Sequence, residues 1–247
     1  MKRFTRIIAL VMVVALMVPA FWGCKKDDNK LIMATNAQFP PYEFYDGDKI
    51  VGIDAEIAEL IAKELGMELE ITDMDFNGIL GAVQNGTADI GMAGMTVTDD
   101  RKEHVNFSKT YATAVQVIIV KEGSEIKSAD DLEGKKIGVQ EATTGDIYAT
   151  DDFGEENVMR YPNGPTAVQA LQNGTIDAVI IDNEPAKAFV KENAGLVILE
   201  TAYAEEEYAI AVSKDNEELL DDINKALDKL MENGEIDKII NKYIPAE

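Results

Sequence analysis

A single cysteine, a single tryptophan and a single histidine occur in 247 residues, and the first and last of these scarcities each narrow what the chain can be. One thiol cannot close an internal disulfide, so Cys24 calls for another explanation. His104 follows Arg101-Lys102-Glu103, has no second histidine to share a metal with, and reads as a surface helix residue. No metal-ligand cluster, phosphate-cradling glycine loop or activated nucleophile pair is legible. Basic residues are also scarce: 23 Lys and Arg stand against 46 Asp and Glu, for a formal net charge of −23. Such a surface repels nucleic acid and anionic membranes, so neither is an expected partner. The apolar run from Ile7 to Val18 is too short for a membrane span of about 20 residues.

What is present at the N terminus is the layout of a secretory signal. Lys2, Arg3 and Arg6 precede the apolar run, which leads to Gly23-Cys24. Gly-Cys in this setting resembles the bacterial lipobox, in which the cysteine is lipidated and becomes the new N terminus. Phe21 and Trp22 depart from that pattern, which prefers Leu or Val and then Ala or Ser. The expectation is a signal peptide over 1–23, lipidation of Cys24 and a solvated tether over 24–29. The chain is then exported and anchored to the outer face of the cytoplasmic membrane, or to the periplasmic side of a membrane. Loss of residues 1–23 removes three positive charges and takes the net charge to −26.

Beyond the tether the chain repeats itself. Ala82-Val83-Gln84-Asn85-Gly86-Thr87-Ala88-Asp89 and Ala170-Leu171-Gln172-Asn173-Gly174-Thr175-Ile176-Asp177 agree at six of eight positions with an offset of 88. In each copy an apolar helical stretch meets Asn-Gly, a good helix stop because both residues tolerate left-handed backbone. A strand follows, Ile90 to Ala93 in one copy and Ala178 to Ile181 in the other. Strands are also expected at Leu31–Ala34, Glu68–Thr72, Ile137–Gln140 and Val158–Tyr161. Helices are expected from Asp54, as N-cap, to Gly66, over Phe76–Gln84, and over Pro165–Gln172. This alternation implies an α/β chain with mostly parallel sheets. Val115–Val120 and Tyr208–Val212 read as paired crossing strands between two lobes. The first lobe is then residues 30–112 plus 207–247 and the second 113–206.

Ligands of open parallel sheets bind beyond the carboxyl ends of the strands. The repeat places Gly94 just past its strand in one lobe and Asp182 at the equivalent point of the other. Gly94-Met95-Thr96 offers close backbone approach and a hydroxyl, and Thr98-Asp99-Asp100-Arg101 reads as a capped turn presenting a guanidinium, whose fork suits a carboxylate. Thr143-Thr144-Gly145 opens a helix whose free amides favour an anion. Asp182 supplies a charge for an ammonium. Together these groups match the two ends of a zwitterionic α-amino acid. Taken singly, Arg101 reads more often as a solvated helix residue and Asp182 as a turn former, and only their joint placement at strand ends reverses this, while Phe39 and Phe76 read as core or, preferably, as aromatic walls of a site.

Ala34-Thr35-Asn36-Ala37-Gln38-Phe39-Pro40-Pro41-Tyr42-Glu43, Met74-Asp75-Phe76-Asn77-Gly78, Ala93 to Arg101 and Gly138 to Asp146 resemble family 3 of the bacterial solute-binding proteins. That group serves polar and basic amino-acid importers of the ABC type. The resemblance runs from about Lys30 to the C terminus. It implies a periplasmic-binding-protein-like type II fold, two α/β lobes on a two-stranded hinge, acting as a monomer without a cofactor. Its expected partners are a free amino acid and an ABC transporter permease. It further implies that Arg101 holds the α-carboxylate with amides near Thr96 and Thr144. The Gly94 carbonyl, the Thr96 hydroxyl and Asp182 hold the α-ammonium, with Met95 in the same segment. Phe39 and Phe76 flank the side chain, and Asn36 and Gln140 lie near it. Two departures stand out: Asn36 where relatives that bind basic or amide side chains carry Asp, and Ala142 where glycine is usual. Two rivals compete, a cyclohexadienyl-dehydratase-like enzyme on the same fold, with Glu141 or Asp146 as acid or base, and the ligand-sensing subunit of a separate receptor.

Overall fold

The computed structural model describes residues 29–200 and 202–245. The expected signal peptide over 1–23 and Cys24 with most of its tether lie outside the described residues. In chain order the fold opens with β1 (Lys30–Thr35), β2 (Gln38–Phe39), β3 (Glu43–Asp46), β4 (Lys49–Val51), α1 (Ile53–Leu65), β5 (Glu68–Asp73) and α2 (Phe76–Gln84). Next come β6 (Ile90–Gly91), α3 (Asp99–His104), β7 (Val105–Phe107), β8 (Ala112–Lys121), β9 (Ile137–Gln140), α4 (Thr144–Phe153), β10 (Val158–Tyr161) and α5 (Gly164–Asn173). The chain closes with β11 (Ala178–Asp182), α6 (Asn183–Glu192), β12 (Leu196–Ile198), β13 (Ala204–Tyr208), β14 (Ala211–Ser213), α7 (Glu217–Glu232) and α8 (Glu235–Tyr243).

These elements form two lobes. One holds a five-stranded sheet in the order β5-β1-β6-β14-β7, the other the sheet β10-β9-β11-β8-β12 with β13 also paired to β8. Three strands of each sheet run parallel, β5-β1-β6 and β10-β9-β11, while β14 and β8 are antiparallel to their neighbours. The sheets are thus mixed rather than mostly parallel, because the strands that carry the chain between lobes enter each sheet from the opposite end. Helices cover both faces, which suits strands such as β11 whose residues are buried on either side.

The joint differs in detail from its expected position. β13 pairs antiparallel with the start of β8, Tyr208 opposite Ala112 and Ala204 opposite Gln116. Val117–Val120 instead pair with β11 and β12 inside the second lobe, and Ala211–Val212 lie in the first lobe's sheet. An unbroken apolar stretch marks a buried strand without saying which neighbour buries it.

The repeat has a structural duty in both lobes. The Asp89 carboxylate accepts the Ile32 amide at 2.8 Å while Asp89's own amide donates to the Ile32 carbonyl. Asp177 treats Lys136 in the same way, at 2.9 and 2.8 Å. Each acid so anchors the strand that its lobe's sheet is built around. The strand after the first copy is short, Ile90–Gly91 alone, whereas its counterpart spans Ala178–Asp182. Asp54 is not the N-cap of α1. Gly52 holds that position at φ 126°, and Asp54 is buried within the first turn with its carboxylate bonded elsewhere.

Candidate functional site

The cleft between the lobes holds a small pocket with about 310 Å³ of empty space, part of it open to solvent at the mouth. From the first lobe Asn36, Phe39, Phe76, Gly94, Thr96 and Arg101 line it, together with Glu43 and Ala93. Gln140, Thr143, Thr144 and Asp182 line it from the second. Met95 is the exception among the expected residues. It is fully buried in a core cluster with Phe76, Ile79 and Val105, so its side chain serves the first lobe's packing and not the cavity. The backbone turns at Gly94 and sends the next side chain inward.

Local sequence explains how these groups arrive. Thr98 caps α3, its hydroxyl accepting the Arg101 amide at 3.2 Å, and this short helix delivers Arg101, a residue only 4% exposed. Arg101 Nη1 donates to the Thr96 carbonyl at 2.7 Å, and Nη2 crosses the cleft to the Ala142 carbonyl at 3.0 Å. The guanidinium lies 5.4 Å from the centre of the Phe76 ring, a cation–π contact. Burial pushes its pKa down while Glu206 and Asp182 pull it back up. Two of its five N–H donors are engaged by these bonds, which leaves a fork for an anion. Opposite, Thr143 caps α4 and accepts the Asp146 amide at 3.4 Å, turning the unbonded first-turn amides at Thr144 toward the same space.

Gly94 must be glycine. Its φ is 53°, and a Cβ there would stand 2.7 Å from Phe39 Cε1. Its amide donates to Asp54 Oδ2 at 3.0 Å, and Tyr111 donates its hydroxyl to Asp54 Oδ1 at 2.8 Å. Burial raises the Asp54 pKa, against those two hydrogen bonds. Glu43, a lining residue, is fully buried and neither of its oxygens meets a donor in the geometry observed. It lies close enough to Asp54 for a proton on Glu43 to join the two, and burial followed by the Asp54 charge holds its pKa well above the usual range.

Asp182 ends β11 and accepts a hydrogen bond from the Tyr208 hydroxyl. Burial first, and then the charge of Glu206, push its carboxyl well above the ordinary value. Further bonds tie the lobes together across the cleft. Gln140 Nε2 donates to Asn36 Oδ1 at 3.0 Å, and Asn77 Nδ2 reaches the exposed Glu141 at 3.4 Å. Of the residues considered as an acid or base, Glu141 does not line the cavity and Asp146 is spent on Arg160, with both oxygens 2.9 Å from its Nε. His104 is exposed at the end of α3. Among the described residues no group of acids, His and Cys could hold a metal ion, and no helix is long and apolar enough to cross a membrane.

Sequence reasoning missed the buried acids behind the cavity, Asp54 and Glu206. Asp54 sat at a plausible helix start, and Glu206 lies in the run Glu205-Glu206-Glu207, which as sequence is merely a charged surface stretch. Strand alternation is the one signal that could have singled it out, since β13 buries Glu206 while Glu205 and Glu207 face outward.

The sequence and the fold are similar to those of known proteins. The chain is 38% identical over 233 residues to the arginine-binding extracellular protein ArtP of Bacillus subtilis, covering 91% of this chain and 90% of that one. An ancestral arginine-binding protein solved with glutamine bound superposes with a TM-score of 0.84 at 43% identity, over 88% of this chain and 99% of the other. The arginine-, lysine-, histidine-binding protein ArtJ of Geobacillus stearothermophilus also gives 0.84, at 36% identity over 88% and 96%. Residues 31–246 match the family model of the bacterial extracellular solute-binding proteins, family 3, and the chain belongs to that family.

Proposed function

We propose that the chain binds one free L-amino acid between its lobes and delivers it to the permease of an ABC importer, without altering it chemically. The observation that carries this reading is the convergence of Arg101, from one lobe, and Asp182, from the other, on a single small cavity. Arg101 takes the α-carboxylate with the amides at Thr96 and Thr144. Asp182, the Thr96 hydroxyl and the Gly94 carbonyl take the α-ammonium. Phe39 and Phe76 flank the side chain, with Asn36 and Gln140 beside it. Closure brings the lobe of residues 30–112 plus 207–247 against the lobe of 113–206. The protein is a monomer, exported and held at the outer face of a membrane by a lipid on Cys24.

The ligand's side chain is cationic on this reading. Among the described residues Arg101 is the one basic side chain lining the cavity, beside the acids Glu43 and Asp182, and the Glu43 carboxyl, though protonated toward Asp54, keeps lone pairs free to accept from a guanidinium or ammonium. Relatives named for binding arginine support the same direction. A thermal-shift screen of the twenty amino acids tests it, because a ligand of the native state raises the apparent transition. L-arginine or L-lysine should give the largest shift. A protein that no amino acid stabilises would not be an amino-acid carrier.

Hydrogen bonds to charged groups contribute roughly 1.5–3 kcal/mol each, so Arg101→Ala and Asp182→Asn should each weaken binding by about ten- to hundred-fold or more. Calorimetry with the amino acid chosen by the screen measures this directly. Unchanged affinity in both variants would reject the assigned roles.

A further inference from the structure

One buried carboxylate near the cavity has no part in the roles assigned above. Glu206 lies on β13, one of the two strands joining the lobes, and is 4% exposed. Its Oε2 accepts from the Thr96 hydroxyl of the first lobe at 3.1 Å and from the Gln116 amide on β8 at 3.0 Å. Its Oε1 is buried and meets no donor in that geometry. Beside it stands Asp182, close enough for a hydrogen bond between the two carboxyls once one of them carries a proton. The charged and titratable groups facing this pair are Arg101, Tyr208 and Tyr148, and Tyr42 and Glu43 also feel the charge of Asp182.

Two consequences follow from elementary chemistry. A hydroxyl has one proton to give, and Thr96 gives it to Glu206, so only its lone pairs are left for a donor in the cavity. Burial and the neighbouring charge of Glu206 make an ionised Asp182 costly, so Asp182 keeps a proton until a cation arrives.

We propose that Glu206 is a positioning residue of the ligand site: it orients the Thr96 hydroxyl as an acceptor for the ligand's α-ammonium, and its charge keeps on Asp182 a proton that the ammonium displaces on binding. This rests on the reading of Asp182 as the ammonium's partner. In the displacement one carboxyl O–H bond breaks, both electrons stay on the carboxylate, and the proton passes to the buffer. Ligand capture therefore tightens as pH rises, until Asp182 is ionised without help.

Titration calorimetry of the full chain at neutral pH, with L-arginine and L-glutamine as probes, tests this in phosphate and in Tris, whose different heats of protonation count the protons released. The unsubstituted chain should release up to about one proton per ligand bound. Glu206→Gln should cut that release by more than half and weaken binding at least about ten-fold. In a Thr96→Val background the further loss from Glu206→Gln should shrink, because the two act through one contact. Heats that do not depend on the buffer in the unsubstituted chain would overturn the proposal, and this holds even if a variant fails to fold. So would a Glu206→Gln protein with unchanged affinity and unchanged release. If neither probe binds the unsubstituted chain, the ligand-site reading beneath the proposal falls with it.

Discussion

Ala142 shows how a single side chain can work against the backbone that holds it. Its φ is 63°, in the left-handed region, where a Cβ crowds the chain. The position is kept because both peptide groups are engaged: the Ala142 amide donates to Asp146 Oδ2 at 3.1 Å, and its carbonyl receives Arg101 at 3.0 Å. Left-handed alanine costs about 1–2 kcal/mol, and glycine returns about 0.4–1 kcal/mol of that through the freer unfolded chain. Ala142→Gly should therefore stabilise the ligand-free protein by up to about 1 kcal/mol, read as a higher melting temperature, and leave the cavity's lining unchanged. A lower melting temperature would mean that the observed backbone is not strained. The departure from the family's usual glycine thus acquires a physical cost, and it falls on the residue that Arg101 grips across the cleft.

Among the elements, α4 and the paired strands β8 and β13 do most to shape the site. Thr143 holds the start of α4 in two ways, its hydroxyl donating to the Gln140 carbonyl at 2.8 Å and accepting the Asp146 amide at 3.4 Å. Losing an N-cap of this kind costs about 1 kcal/mol. Thr143→Ala should lower stability by about that amount and also loosen the amides that face an anion. Affinity measured beside melting temperature would detect both; a fall in stability with no loss of affinity would remove α4 from the carboxylate's partners. The strands between the lobes carry Gln116 and Glu206 as well as backbone bonds, so the joint itself contributes polar groups to the back of the cavity.

The molecule as a whole concentrates buried carboxyl groups at its centre. Glu43, Asp54 and Asp182 all have pKa values raised by burial above the ordinary 3.8 for Asp and 4.5 for Glu. The folded state thus keeps protons that the unfolded chain gives up once pH passes those values. Their stabilising contribution is complete below the ordinary values and is lost as pH rises through the raised ones. Glu56, raised by partial burial but drawn lower overall by Lys242 and Tyr243, and Asp131, lowered by the Lys127 and Ser128 amides, act in the opposite sense from the surface, where solvent weakens them. Melting temperature of the ligand-free protein should consequently fall as pH is raised from about 5 to about 8. The large net negative charge adds repulsion in the same direction. A stability that rises steadily over that interval would show that these acids are ionised in the folded protein.

Order along the chain was enough to reveal two related α/β units, the helix stops at Gly66 and Gly174, and the capped turns at Thr98 and Thr143, because each depends on residues a few positions apart. Of the ten residues that the same local logic, joined to the family resemblance, expected at the site, nine line the cavity. That logic misplaced Met95, since adjacency to Gly94 and Thr96 says nothing about which side chain turns inward. It also misjudged Asp54, whose role depends on Gly94 and Tyr111, far along the chain. Only folding in three dimensions decided which strands pair at the joint, brought Glu206 beside Asp182 and Thr96, and left Glu43 buried without a donor. Those outcomes depend on burial and on contacts between distant segments, and the pKa of an acid is set by that enclosure rather than by its neighbours in sequence.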